Sequence, residues 1–383
     1  MKKKARRRPA QSRPTLTTPP TKAAQPAPPV RTALPRQYYL DNLRWACVLW
    51  LIPMHAISFF VLIRPGASAM FFLRSVLYFP WWMRLLLVIA GMSTVFSLKK
   101  RTLGTYLRER VQKLLLPFIA AYICFIPLSM YCLAVGQGYT DGLGHFLLSP
   151  STMWEYIKLL PLWHLWFLAA LIICSIATAP LYKLYEQKVL ASQKPARKPL
   201  PLVALILLFV LPFLASGRLQ FLASPLSVGE SLAWFILGLF VLSNPATLAH
   251  MEKHRWSLLG VAVLATVLSY SPIAQLLKLP PPFDQLFTFL HAWTAIIALL
   301  ALGKHSWNGH GKVAAYLQDS SFAFYLFHFL VVFALGLLTI QITHENVWLS
   351  CLLTIALSYP LTFLFYEIVR RIPGLRFLFA IKR

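Results

Sequence analysis

The side chains best suited to chemistry are an arginine and a histidine in the first apolar segment of the chain. Arg44 and His55 are eleven positions apart, almost three whole helical turns, so both side chains are predicted to point from the same face. The helical rise separates them by about 16 Å along the axis, so they cannot touch. Polar groups inside a bilayer are costly and are therefore functional candidates. The structural alternative is an Arg44 that extends to the lipid headgroups and a His55 hydrogen-bonded within the core.

Pro53 is expected to disturb this helix just before His55. Proline lacks the backbone N–H that would donate to the carbonyl one turn earlier. A backbone carbonyl near His55 is therefore expected to be free for another donor.

A basic cluster follows the second apolar segment. Arg110 and Lys113 are spaced i, i+3 at the start of the third apolar segment, and Lys99, Lys100 and Arg101 come a little earlier. Such a cluster has the size and charge to bind a phosphate group. Loops on the cytosolic side of membrane proteins are also rich in basic residues, so the cluster alone does not distinguish the two interpretations.

These candidates must be positioned by membrane-spanning helices. Of the 383 residues, 58% are hydrophobic and 13% are charged, and the mean hydropathy is +0.63. An average soluble domain is about half apolar and a quarter charged, so this composition argues against a lone soluble domain and against a disordered chain. The predicted fold class is an all-α membrane protein with about ten transmembrane helices. The predicted spans are 39–63, 77–98, 114–135, 161–182, 199–216, 229–243, 256–271, 286–303, 321–341 and 347–369.

The basic residues indicate an orientation in the membrane. The chain has 37 Lys and Arg against 11 Asp and Glu, a formal charge of +26. If the N-terminus is cytosolic, 30 basic residues fall on the cytosolic side and 5 on the outer side, which is the asymmetry of the positive-inside rule. Both termini are therefore predicted to be cytosolic, and the positive charge is explained without a nucleic-acid partner.

Three regions are predicted along the chain. Residues 1–36 hold ten basic residues and no acidic ones, and are predicted to be a disordered, Pro-rich cytosolic tail that sets orientation or touches anionic lipid. Residues 37–372 are predicted to form the membrane domain, and 373–383 a basic cytosolic C-terminal tail. All five cysteines fall inside predicted spans without a C-x-x-C pair, so neither disulfides nor a metal site is expected.

About residues 36–370 resemble the integral-membrane acyltransferase-3 family. The resemblance is carried by YYLDNLRWACVLWLIPMH, FPWWMRLLLVIAGMSTVFSLKKRTLGTYLRERVQKLLLPF, PLWHLWFLAALI and LQDSSFAFYLFHFLVV. The most specific family element is a basic residue, ten intervening residues and a histidine, which Arg44 and His55 match. The family's Arg-x-x-Arg pair reads Arg110-Val-Gln-Lys113 here, and a lysine binds a phosphate without the bidentate geometry of arginine.

The resemblance implies acyl transfer from a cytosolic acyl-CoA, most simply acetyl-CoA, to a hydroxyl of an extracytoplasmic glycan or similar envelope molecule. It implies that His55 is essential, either as general base or as a carrier of the acyl group. Arg44, Arg110 and Lys113 are then expected to bind the phosphates of the acyl-CoA. A bacterial cytoplasmic membrane is the expected location.

An aromatic cluster at the predicted outer side is a candidate for binding the acceptor. Trp163, His164 and Trp166 open the fourth predicted span. Tryptophan faces suit sugar rings, and His164 suits a hydroxyl group. An aromatic belt at the membrane interface is the alternative interpretation.

Two further histidines lie on polar stripes. His291 follows Asp284 and Thr288 at helical spacing in the eighth span, which suits either an acceptor site or, as favoured here, a structural role. His328 shares the same spacing with Ser321 and Tyr325 in the ninth span, where hydrogen bonds between packed helices are the favoured interpretation.

Other functions are also compatible with ten spans. A transporter or flippase would carry buried polar residues too, although the repeats and paired broken helices typical of transporters are not evident. A non-catalytic membrane sensor is the third possibility. The chain has no G-x-S-x-G, P-loop or H-E-x-x-H sequence, so hydrolase, ATPase and zinc-enzyme functions have no motif to support them.

Overall fold

All regular secondary structure in the described part of the chain is helical. The predicted N-terminal tail lies outside the described residues except for Arg36. Within the described ranges, the all-α membrane fold is confirmed. The computed structural model of the protein describes residues 36–66, 68–149, 151, 155, 158, 162–191, 198–220, 225–270 and 280–381.

The elements include two π-helical turns and one 3₁₀ turn besides the α-helices. The π-helical turns are Val111–Leu115 and Leu237–Leu242, and the 3₁₀ turn is Trp163–Leu165. The α-helices are α1 Tyr38–Leu49, α2 Leu51–Ile63, α3 Ser68–Leu77, α4 Trp82–Lys100, α5 Leu103–Arg110, α6 Leu116–Cys124, α7 Ile126–Gly136, α8 Leu143–Leu148, α9 Trp166–Ala191, α10 Leu202–Leu207, α11 Val210–Ala215, α12 Val228–Ile236, α13 Pro245–Lys253, α14 Arg255–Tyr270, α15 Pro281–Ser306, α16 Lys312–Ile342, α17 Val347–Arg371 and α18 Pro373–Leu378.

Every predicted span coincides with an apolar helical stretch, but these stretches differ in length. A helix needs about 20 residues to cross the hydrocarbon core. Seven stretches among the described residues are long and apolar enough by themselves: Tyr38–Ile63, Ser68–Lys100, Leu103–Gly136, Trp163–Val189, Phe283–Ser306, Lys312–Ile342 and Val347–Arg371.

The fifth, sixth and seventh predicted spans are irregular. Leu202–Ala215 and Arg255–Tyr270 are shorter than a full span. The sixth is bent, because Val228–Leu242 and Pro245–Lys253 meet at 90°. Asn244 caps the second of these helices, since its side-chain oxygen accepts the N–H of Ala246 at 3.1 Å. The orientation of the termini stays a prediction from the charge pattern.

The longest described helix, α16, packs against the two helices of the first span, which carry Arg44 and His55. It has 31 residues and packs against α1, α2, α7 and α17. It carries Tyr325, His328 and Phe329, and all three side chains are buried. Residues from the first span and from the start of α9 therefore meet residues of α16 inside the protein.

The backbone is interrupted near His55 as Pro53 predicts. Helices α1 and α2 are separated at Trp50. Pro53 has no N–H to donate to the carbonyl of Leu49, and the hydroxyl of Tyr359 donates to that carbonyl at 3.1 Å instead. A side chain of α17 thus replaces the missing backbone hydrogen bond and holds α2 in place.

The C-terminal segment that was predicted as a tail contains a short helix and packs against the membrane domain. Phe379, which follows α18, stacks on Phe125 with ring centres 5.4 Å apart and meets the edge of Phe327 at 5.3 Å. Phe379 is the buried residue of the segment at this contact, whereas α18 itself has no buried residue. The segment is therefore attached by an apolar side chain that a charge count does not register.

A buried ion pair connects α4 to α12. The Nε of Arg84 donates to the Glu230 carboxylate at 2.8 Å, and the indole of Trp234 donates to the same oxygen at 3.1 Å. Removing one member of such a pair leaves a buried charge unpaired, so the pair ties the two helices together.

Helix α4 also approaches α12 and the π-helical turn after it closely, at one glycine on each side. A Cβ on Gly91 would collide with the carbonyl of Phe235, and one on Gly238 with the carbonyl of Val88. Both obstacles are backbone atoms, which cannot rotate away. Small residues at such contacts let helices in membranes pack backbone to backbone.

We expect Gly238→Ala to destabilise the protein by about 2 kcal/mol, the range of overpacking substitutions. The apparent melting temperature of purified protein in detergent measures this. Gly260→Ala is the matched control, because a Cβ there meets nothing within 4 Å. Equal melting temperatures for both variants would contradict the close packing of these two segments.

Candidate active site

The three basic residues predicted to bind phosphates line one cavity. Arg44 reaches it from α1, Arg110 from the end of α5, and Lys113 from the π-helical turn that follows. The cavity has a volume of about 470 Å³, and we call it the basic cavity. Asp319 is the acidic residue of its lining. The structure thus brings Arg44 together with two cations that lie more than 60 residues later in the chain.

Arg44 is held in place by two neighbours. Its guanidinium donates to Asp41 at 2.7 Å and to the hydroxyl of Ser93 at 3.1 Å. One contact lies one helical turn away and the other on α4. This leaves a positioned arginine with further N–H groups at the wall of the cavity.

Arg110 and Lys113 differ in their surroundings. The guanidinium of Arg110 lies over the ring of Tyr106 at 4.8 Å, and its Nε is buried with no hydrogen-bond partner among the described residues. Lys113 pairs with Glu109 at 2.8 Å, and 58% of its side chain is exposed. Arg110 is therefore the more confined of the two cations, and Lys113 is the more exposed.

His55 lines a second cavity together with all three members of the predicted aromatic cluster. Trp163, His164 and Trp166 contribute to its wall, as does Arg74 of α3. The volume is about 310 Å³, and we call it the histidine cavity. The imidazole of His55 thus lies beside tryptophan side chains in the wall of one cavity.

Three histidines from separate segments cluster at this cavity. The ring centres of His55 and His328 are 5.2 Å apart, those of His164 and His328 are 5.4 Å apart, and those of His55 and His164 are 6.5 Å apart. His328 does not line the cavity and lies behind the other two. Within the described residues, no group of three or more His, Cys, Asp or Glu side chains has the spacing of a metal site.

The backbone beside His164 is strained. Trp163 has a φ of 44°, a conformation that bulky residues rarely adopt. The hydroxyl of Tyr325 donates to the carbonyl of His164 at 2.6 Å, and the His164 ring stacks on Phe329 at 4.4 Å. Strained backbone held by surrounding contacts is common at functional sites. Here the contacts with α16 determine where Trp163 and His164 point.

Tyr325 lines both cavities. Arg44 and His55, which the helical periodicity places on one face, line different cavities on either side of this residue. The sequence predicted their separation along the helix, but it could not reveal that a tyrosine from α16 lies between the two spaces.

His291 lies elsewhere. Its Nε2 is 3.0 Å from the hydroxyl of Thr266, and its ring meets the edge of Tyr270 at 5.9 Å. Both partners belong to α14, and His291 lines neither cavity. The structure therefore does not bring His291 together with the other candidate site residues, although its spacing along the helix resembles that of His328.

Sequence reasoning missed the position of His328. Helical spacing relates His328 to Tyr325 on the same helix, but it does not relate His328 to His55, which lies far away in the chain. The only available signal was a buried histidine in a membrane span, which marks a functional candidate without naming its partner.

Comparisons with known proteins found one matching family model and a set of similar proteins that share one name. Residues 37–367 match the family model described as an acyltransferase domain, of the acyltransferase-3 type. The chain is similar to glucans biosynthesis protein C of Salmonella paratyphi B, with 24% identity covering 90% of this chain and 95% of the relative. The proteins of the same name from Salmonella schwarzengrund and Salmonella gallinarum are 24% and 23% identical over the same shares. No solved structure matches the chain.

Proposed function

Because the chain belongs to the acyltransferase-3 family and is a multi-pass membrane acyltransferase, we propose that it moves an acyl group from acyl-CoA to an acceptor across the membrane. The donor is most simply acetyl-CoA, and the acceptor is a hydroxyl of an extracytoplasmic glycan or similar envelope molecule. The observation that carries this proposal is the pair of cavities that meet at Tyr325, one lined by cations and the other by His55 and tryptophans.

The basic cavity suits the donor. Coenzyme A carries several phosphates at one end and its thioester at the end of a long thin arm. Arg44, Arg110 and Lys113 offer charge-assisted hydrogen bonds to those phosphates. The arm then runs from the basic cavity towards Tyr325 and His55.

The predicted orientation supports an arrangement in which the two cavities open to opposite sides of the membrane. Arg110, Lys113 and Ile381 of the basic cavity come from segments predicted to be cytosolic. Arg74 and Pro225 of the histidine cavity come from segments predicted to lie outside. In this orientation the donor enters from the cytosol, where acyl-CoA is available, and the acceptor enters from the other side.

His55 is the residue proposed to act on the reacting atoms. As a general base it takes the proton of the acceptor hydroxyl, whose oxygen then forms an ester bond to the acyl carbonyl carbon. The thioester bond breaks, and the thiolate of coenzyme A takes up the proton. As an acyl carrier, His55 instead forms the first bond to the carbonyl carbon and passes the group on.

The histidine cavity suits a sugar hydroxyl. Trp163 and Trp166 present apolar faces to the C–H face of a sugar ring, and His164 is placed to orient a hydroxyl. The name of the relatives refers to glucan biosynthesis, so a glucan is the first acceptor to test.

Turnover of acyl-CoA by purified protein tests this function. In proteoliposomes with labelled acetyl-CoA, we expect free coenzyme A to be released, faster with an added glucan, and label to appear on the glucan. Uptake or efflux of an intact solute with no thioester cleavage would favour a transporter. Binding of acyl-CoA without cleavage, with every acceptor supplied, would favour a sensor.

A further inference from the structure

His328 is a completely buried histidine in a membrane-spanning helix, and the proposed acyl transfer leaves it without a role. Its side chain is 0% exposed. Polar groups in such positions are costly, and residues that keep them there are functional candidates. The two ring nitrogens of His328 have different hydrogen-bond surroundings.

The hydrogen bonds of His328 determine its tautomer. Its Nδ1 lies 3.1 Å from the carbonyl oxygen of Phe324 and 2.8 Å from that of Tyr325. Carbonyl oxygens only accept hydrogen bonds, so Nδ1 carries the proton. In the neutral imidazole, Nε2 then has a free lone pair and acts as an acceptor.

That acceptor has no partner in the described part of the protein. Nε2 of His328 is buried and makes no hydrogen bond. A buried polar atom left in this state costs free energy, so a donor that approaches it is stabilised. The ring of His55 is the nearer of the two imidazoles beside it, at 5.2 Å between centres against 5.4 Å for His164. The two ring planes are inclined at 42° and no hydrogen bond joins them in the described structure, so the His55 ring has to rotate to bring one of its nitrogens to Nε2 of His328.

We propose that His328 is a positioning residue, whose Nε2 accepts a hydrogen bond from one nitrogen of His55 and so leaves the other nitrogen unprotonated towards the histidine cavity. The proposal rests on the proposed function of His55. His328 itself transfers no proton and forms no covalent bond. When His55 takes the acceptor proton, or carries the acyl group, the positive imidazole ring that forms is stabilised by the same hydrogen bond.

The placement of the two rings supports this division of roles. His55 lines the histidine cavity, whereas His328, on α16, does not. The backbone carbonyls of α16 hold His328 rigidly, and a rigid acceptor restricts the rotation of its donor. Orientation of a catalytic imidazole by a third group recurs in nucleophile–base sites.

Substitutions that separate the two nitrogens of His328 test the proposal. Glutamine places an amide oxygen near the position of Nε2, whereas asparagine reaches only the position of Nδ1. We expect His328→Asn to lower kcat for acyl transfer about 100-fold, the lower end of what positioned acid–base groups contribute. We expect His328→Gln to keep at least tenfold more activity than His328→Asn, with KM for acyl-CoA unchanged in both.

Thr339→Val is the matched control for packing. Thr339 is buried on the same helix and bonds Thr354 at 2.7 Å, away from both cavities. The Thr339→Val variant should have a lower melting temperature than the wild type and an unchanged kcat. Equal loss of kcat in His328→Gln, His328→Asn and Thr339→Val would overturn the proposal and assign His328 to packing.

Two further measurements identify the partner. In a His164→Ala background, His328→Asn should still lower kcat by the full factor, and loss of that effect would assign His328 to His164 instead.

If His55→Ala abolishes turnover while both His328 variants keep wild-type kcat, this inference fails and the proposed function stands. If His55→Ala keeps wild-type turnover, the proposed role of His55 fails first.

Discussion

Replacing His55 by alanine should abolish acyl transfer and leave acyl-CoA binding intact. His55 is the cavity-lining histidine of the Arg-x₁₀-His element, and the basic cavity that is proposed to bind the donor does not include it. Loss of a general base lowers turnover by about 100- to 10,000-fold, and loss of a covalent carrier removes the acyl-enzyme route altogether. Release of coenzyme A from labelled acetyl-CoA measures turnover, and equilibrium binding of the same molecule measures donor affinity.

A second histidine variant separates chemistry from a general effect of losing a buried imidazole. His291→Gln removes a buried ring outside both cavities and retains an amide that can bond Thr266. We expect it to keep most of the wild-type turnover. Wild-type turnover in His55→Ala would refute the assigned mechanism, and a loss in His291→Gln as large as that in His55→Ala would restore His291 to the candidate site.

Removing the confined arginines should weaken donor binding. Arg44→Ala or Arg110→Ala each deletes hydrogen bonds to a charged phosphate, worth about 1.5–3 kcal/mol, so Kd for acetyl-CoA should rise about 10- to 100-fold. The remaining affinity should depend less on salt than in the wild type, because one ionic contact is gone. Binding titrations at several ionic strengths measure both quantities.

Two comparisons make the arginine experiment specific. Arg44→Lys keeps the charge but not the fork of donors, and should lie between the wild type and alanine. Lys100→Ala removes an exposed cation that does not line the basic cavity, and should change Kd less than twofold. If Lys100→Ala weakens binding as much as Arg110→Ala, the donor is attracted by the general positive field and not by this cavity.

Local features of the fold could be predicted because they depend only on nearby residues. The length and apolarity of the segments determine membrane helices, and Pro53 determines the break in backbone bonding that frees the carbonyl of Leu49. The sixth segment is short for a span, and its bend has a local signal, because Asn244 caps a new helix that begins at Pro245. The apolar run does not give the 90° angle between its two helices, which only the structure shows.

For the candidate site, the sequence determined the residue types and their helical faces. It indicated Arg44, Arg110 and Lys113 as one phosphate-binding group, and it indicated His55 and the aromatic cluster at Trp163 as separate candidates. The sequence could not show which of these residues share a space. The structure places the three cations around one cavity, and His55 with the aromatic cluster around another.

Only the tertiary structure decided how the two groups relate and which histidines belong to them. Tyr325 lies between the cavities, His328 lies behind His55, and His291 packs against α14. Helical spacing treats His291 and His328 alike, because periodicity specifies a face of a helix and not the helix that this face meets. That choice depends on how α16 packs against α2, which lies far away in the chain, and on how α15 packs against α14, the helix just before it.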